Sequence, residues 1–135
     1  MSGDGGSGGI GLDGTHVAVA AGPLAGPVIS RVVAIAAARA HLPVDRLSDA
    51  LAIADALVEH ATPLVAKERL ELATTGAGGW LELRVGPLRH GSAGRLLERS
   101  EPSGAGGVIV RLATRTRVVS IEAGDVLVVD VAAAP

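Results

Sequence analysis

Residues 47–61 read LSDALAIADALVEHA, and the organisation of the whole chain turns on them. Leu47, Leu51, Ala54, Val58 and Ala61 recur at helical spacing and make one apolar stripe, so the segment is expected to be a helix with a single inner face. At ~100° per residue, Ser48, Ala52, Asp55 and Glu59 fall on one flank of that stripe. Two carboxylates one helical turn apart therefore look along the edge of the expected core. Such a pair is either the solvated shoulder of an amphipathic helix or part of a site, and the spacing alone does not separate the two.

Outward from this helix, Pro43 and Pro63 mark its limits, with Asp45 and Asp49 near its start where the helix dipole favours negative charge. Before it, Pro27 suits the first turn of another helix. Val28, Ile29, Val32, Val33, Ala36 and Ala40 gather on one face of that helix, which runs to about His41. Residues 15–21 alternate well enough for a short strand, and Gly22, Pro23 and Gly26 then break the chain. Residues 1–14 are rich in Gly and Ser, a composition that buries too little to order itself, and are expected to form a flexible tail ahead of a single domain over residues 15–135.

After the helix the period changes from 3.6 to two. Leu70 and Leu72 face one way, and after TTGAGG so do Leu81, Leu83 and Val85, which predicts an antiparallel hairpin. Trp80, Glu82 and Arg84 take its other face, so Trp80 is expected to be a partly covered sheet residue and not a core anchor. A short helix is expected over residues 93–98, a Gly-rich loop over 100–107 and another helix over 108–113. A second hairpin, with strands over 117–121 and 126–131, should turn at Ala123-Gly124-Asp125. The predicted fold is α+β, a two-layer sandwich with helices packed on one face of a mixed, largely antiparallel sheet.

Composition excludes several functions. A chain of 135 residues with a net charge of -2 and scattered Lys and Arg has no basic nucleic-acid footprint. With Trp80 its only aromatic residue it has no platform for stacking bases. No cysteine is present, so thiolate metal sites and disulfides are out. No apolar run approaches the ~18 residues of a membrane span, and the start MSGDGGSGG does not read as a secretory leader, so a cytoplasmic protein that binds neither membrane nor nucleic acid is expected. The four histidines, His16, His41, His60 and His90, lack metal-ligand spacing. No G-x-S-x-G elbow exists, and Lys67, the only lysine, is not in a Walker loop. The segment SGAGG over residues 103–107 is glycine-rich ahead of a helix, which suits either a phosphate cradle or an ordinary turn.

Taken together, the order of elements, LSDALAIADALVEHA, the strand pair LELATTGAGGWLELRVG, the segment SGAGGVIVRLATRTRVVS and the closing VLVVDV resemble a known family. It is the ATP-binding domain of the gyrase, histidine-kinase and MutL (GHKL) superfamily, in the branch of the bacterial anti-sigma-factor serine/threonine kinases. The resemblance spans residues 15–131 and implies a sandwich of Bergerat type. In that family the organising helix carries a Glu that acts as base and, four residues on, an Asn that holds Mg²⁺. Asp55 and Glu59 stand at those positions here. The resemblance thus implies Asp55 as base, Glu59 as Mg²⁺ ligand and Gly104, Ala105, Gly106 and Gly107 as the phosphate cradle for ATP or ADP. The family's adenine-reading Asp has no counterpart between Arg84 and Arg95. The implied function is a small regulatory domain with a degenerate nucleotide site. It would bind a sigma factor or an anti-anti-sigma protein through the outer face of its first helix, and form a homodimer. The alternative is a purely structural interaction module that binds no nucleotide.

Overall fold

The computed structural model describes residues 13–98 and 105–133. The chain runs β1 (Asp13–Ala20), α1 (Ala25–Arg39), α2 (Val44–Ala61), a 3-10 turn (Thr62–Leu64), β2 (Arg69–Ala77), β3 (Trp80–Leu88), α3 (Ser92–Glu98), α4 (Ala105–Leu112), β4 (Arg115–Ile121) and β5 (Gly124–Ala132). Five strands form one sheet in the order β1-β2-β3-β5-β4. The expected α+β two-layer sandwich is present, with one difference: all four strand pairings are antiparallel, so the sheet is not mixed. Consecutive strands here are joined by hairpins, or separated by helix pairs that return the chain to an edge, and neither demands a parallel neighbour.

One sheet face carries the core. Leu70 and Leu72 of β2, Leu81, Leu83 and Val85 of β3 and Leu127, Val129 and Val131 of β5 are all buried, as the period-two reading requires. Above them α1 lies across β1 and β2, α2 packs on α1 and over β3 and β5, and α3 and α4 close the far side. Among the described residues the other face has no covering layer, and it is faced with ion pairs. Glu82 sits between Arg84 Nε at 2.7 Å and Arg117 at 3.2 Å, and Asp130 meets Arg115 at 3.0 Å. Val128 is fully buried on this face between its register partners Arg84 and Arg117. Trp80 is half-buried there, as expected.

Element limits agree with the sequence reading to within a few residues, apart from three places. β2 extends through Thr74 and Thr75 to Ala77, because Gly78-Gly79 suffice for the turn and Gly79 takes a φ of +84°. Residues 74–77, within TTGAGG between the two leucine runs, are therefore strand. Gly76 lies where α1 comes down on the sheet; a Cβ there would stand 3.0 Å from the Ala40 side chain. β5 begins at Gly124, inside the expected turn. The helix expected at 108–113 starts at Ala105, so Ala105, Gly106 and Gly107 are its first turn and not a loop. Residues 99–104, with Gly104 and the rest of the expected loop, lie outside the described residues. So does the expected tail, except for Asp13 and Gly14, which begin β1.

Two junctions fix the helices. At the end of α1, His41 N–H bonds Ala38 O at 3.0 Å and Leu42 N–H bonds Ala37 O at 3.1 Å, a Schellman closure with His41 at φ +62° where glycine is usual. At the start of α2, Arg46 donates to Asp49 at 2.7 Å, to the Ala132 and Leu112 carbonyls at 2.8 and 3.1 Å and to the Thr114 hydroxyl at 3.1 Å. One guanidinium thereby ties α2 to the ends of α4 and β5. No helix among the described residues is long and apolar enough to cross a membrane.

Candidate functional site

The buried face of α2 is not the stripe that the spacing suggested. Ala50, Ile53, Ala54, Ala56, Leu57 and Ala61 are buried, whereas Leu47, Leu51 and Val58 are only partly covered. The helix is turned by somewhat under the ~100° that separates successive residues. The cause is its alanine content: several faces of LSDALAIADALVEHA are nearly as apolar as one another, and packing against α1, α4 and the sheet selects among them. The turn moves Asp55 and Glu59 away from the core edge, and both side chains are exposed.

These two acids meet different surroundings. Asp55 faces α1, where Ser30 Oγ donates to its Oδ1 at 3.2 Å. Glu59, one turn further, lines a cleft of about 550 Å³ at the C-terminal end of α2, and Asp55 does not. The cleft is built as follows. Thr62 Oγ1 donates to Val58 O at 2.6 Å and closes α2, and the 3-10 turn then reverses the chain. Residues 64–66 pair with residues 87–89 through a Val65–Leu88 bridge, the Ala66 N–H to Pro87 O at 2.9 Å and the Arg89 N–H to Leu64 O at 2.8 Å. This places Arg89 and His90 beside the last turn of α2. A turn at Gly91, φ +87°, starts α3, whose Ser92 and Arg95 complete the rim over an apolar floor of Leu64 and Leu96.

The turn is held from behind by Asp125, which is 4% exposed. Its carboxylate accepts the Gly91 N–H at 2.8 Å and the Ser120 hydroxyl at 2.9 Å, with His90 Nδ1 at 3.4 Å. The Gly91 amide first, then Ser120, hold its pKa below the ordinary 3.8, against the opposing effect of burial, and His90 adds to the lowering. His90 Nε2 also lies 3.4 Å from Glu122 O. Asp125 is thus committed to positioning the cleft wall and is not available to read a base.

Of the six residues singled out in sequence, the cleft contains Glu59. Asp55 lies on the α1–α2 seam, Ala105, Gly106 and Gly107 open α4, and Gly104 is outside the described residues. Gly107 does not line the cleft. Arg89, Arg95, His60 and His90 line the same cleft as Glu59, and the sequence pattern assigned none of them a role. RVGPLRHG holds no Asp, but its Arg89 and His90 are residues that line the cleft.

No group of three or more His, Cys, Asp or Glu that could hold a metal by itself exists among the described residues, so Glu59 would hold Mg²⁺ only together with the oxygens of a bound phosphate and water. Arg89 and Arg95 line the same cleft and bring positive charge of their own to it. No protein-family model matches the chain, and no curated protein matches it in sequence.

Proposed function

We propose that this chain is a small cytoplasmic regulatory domain of the anti-sigma kinase type, in which the nucleotide site is degenerate and the work is done by binding another protein. The partner class implied by the resemblance is a sigma factor or an anti-anti-sigma protein. The observation that carries the reading is the separation of Asp55 from Glu59. The residue at the base position is bonded to Ser30 on α1, and the residue at the metal position faces Arg89 and Arg95 in the cleft. A base and a Mg²⁺ ligand for γ-phosphoryl transfer must act on one substrate at the same moment. Asp55 does not line the cleft that Glu59 lines, which supports regulation by association over phosphorylation.

The reading is tested with the purified chain in two measurements. Titration with ADP is expected to show no Mg²⁺-dependent binding, and a micromolar affinity that requires Mg²⁺ would contradict the degenerate site. Pairwise binding to the sigma factors and anti-anti-sigma proteins of the same cell is expected to give one complex with a Kd below about 10 μM, about -7 kcal/mol. Failure of all of them at that level would contradict the regulatory role and leave the structural interaction module.

A further inference from the structure

The cleft beside Glu59 has a chemistry of its own. Arg89 gives one N–H to the Pro63 carbonyl at 3.2 Å and retains its other donors. Arg95 has no side-chain partner among the described residues and lines the same space. His60 and Ser92 add further donors. Against these stands one carboxylate, Glu59, whose side chain is 77% exposed and lies 3.8 Å from His60 Nε2. Its negative charge is largely solvated, whereas among the described residues the two guanidinium groups have one side-chain hydrogen bond between them, from Arg89 to the Pro63 carbonyl.

A guanidinium presents N–H groups in a planar fork that matches the oxygens of a phosphate, and two such forks in one cavity suit a dianion better than a carboxylate. The volume of about 550 Å³ is that of a small-molecule pocket and admits one phosphorylated side chain or a mononucleotide. With two guanidinium groups against one carboxylate in the lining, the protein itself can neutralise a phosphate there. From this we infer that the cleft binds a phosphate monoester directly through Arg89 and Arg95, without a divalent cation. The inference rests on the reading of this cleft as the functional site of the domain. Two sources present the group, a phosphoserine on the protein partner and the phosphate of a nucleotide; each carries about -1.5 to -2 charges at neutral pH.

The test is isothermal titration of the full chain at low salt in EDTA with O-phosphoserine amide, AMP and serine amide. Phosphate esters are expected to bind with millimolar or tighter Kd and serine amide not at all. Addition of Mg²⁺ should leave the affinity within about twofold. Arg95→Gln should weaken binding about tenfold and Glu59→Gln should strengthen it severalfold. Arg31→Gln, on the exposed side of α1, should change nothing. Arg89→Gln is expected to match Arg95→Gln, but Arg89 also holds Pro63, so Arg95 is the decisive variant. Tighter binding of the phosphoserine arm identifies a modified partner, and tighter binding of AMP a nucleotide; either supports the shared chemistry. Silence of both esters to about 10 mM, binding that survives Arg95→Gln, or a requirement for Mg²⁺ would overturn the inference. A protein complex found while both esters stay silent overturns this inference alone. Phosphate binding without any protein complex overturns the regulatory reading alone.

Discussion

The carboxylate of Asp125 accepts the backbone N–H of Gly91 at 2.8 Å, so a residue at the start of β5 holds the turn that carries Arg89 and His90 and leads into α3 with Arg95. Asp125→Asn removes the charge behind two of these hydrogen bonds and is expected to cost about 2 kcal/mol at neutral pH, read by urea unfolding. The pKa of Asp125 is depressed below 3.8 in the folded chain, so its contribution is complete above that value and is lost as pH falls through the folded pKa. The stability gap between wild type and Asp125→Asn should therefore shrink as pH falls from about 5 through the folded pKa. A gap that widens over that acidic range would contradict the assignment.

Gly124 lets two strands close where a side chain has no room. Its φ is +148°, and a Cβ there would run into the Leu88 carbonyl oxygen and lie 3.3 Å from the Pro87 side chain. Gly124→Ala is expected to destabilise by at least about 2 kcal/mol. Gly94, inside α3 with nothing within 4 Å of its Cβ position, supplies the opposite case: Gly94→Ala should stabilise by about 0.5 to 1 kcal/mol. Denaturant midpoints of the two variants check both signs.

The turned face of α2 makes a third expectation. Ile53 is fully buried and Leu47, the first residue of the apolar stripe visible in the sequence, is only partly covered. Ile53→Ala should cost about 3 kcal/mol and Leu47→Ala about 1 kcal/mol. Equal costs, or the reverse order, would return α2 to the orientation its spacing suggests.

Much of the architecture was legible because it rests on local rules. Pro43 and Pro63 bound α2, the alternation of Leu70, Leu72, Leu81, Leu83 and Val85 assigns the buried sheet face, and Trp80 takes the face its register requires. What was not legible depends on contacts far apart in the chain. The rotation of α2 could not be read where Ala50, Ala54, Ala56 and Ala61 weigh almost as little as one another, and packing against α1 and α4 decides it. The left-handed His41 has no sequence signal, since glycine is the residue that announces that conformation. The cleft joins Glu59 to Arg89 and Arg95 through a single bridge, Val65 to Leu88, that follows from no periodicity. The glycines at Gly106 and Gly107 read as a loop because their helix propensity is poor, yet α4 includes them, packed on α2 and α3.

Asp55 meets Ser30 on α1 while Glu59 lines the cleft, and on the proposed reading the two do not form one nucleotide site. The direct measurement is calorimetric titration of Glu59→Asn, which supplies the amide of the resembled family at the metal position, with ADP in the presence and absence of Mg²⁺. The variant is expected to show no Mg²⁺-dependent binding, because Asp55 stays with Ser30 and Arg89 and Arg95 still line the cleft. A micromolar affinity that appears with the Asn and only with Mg²⁺ would contradict the account and restore a single site for the pair.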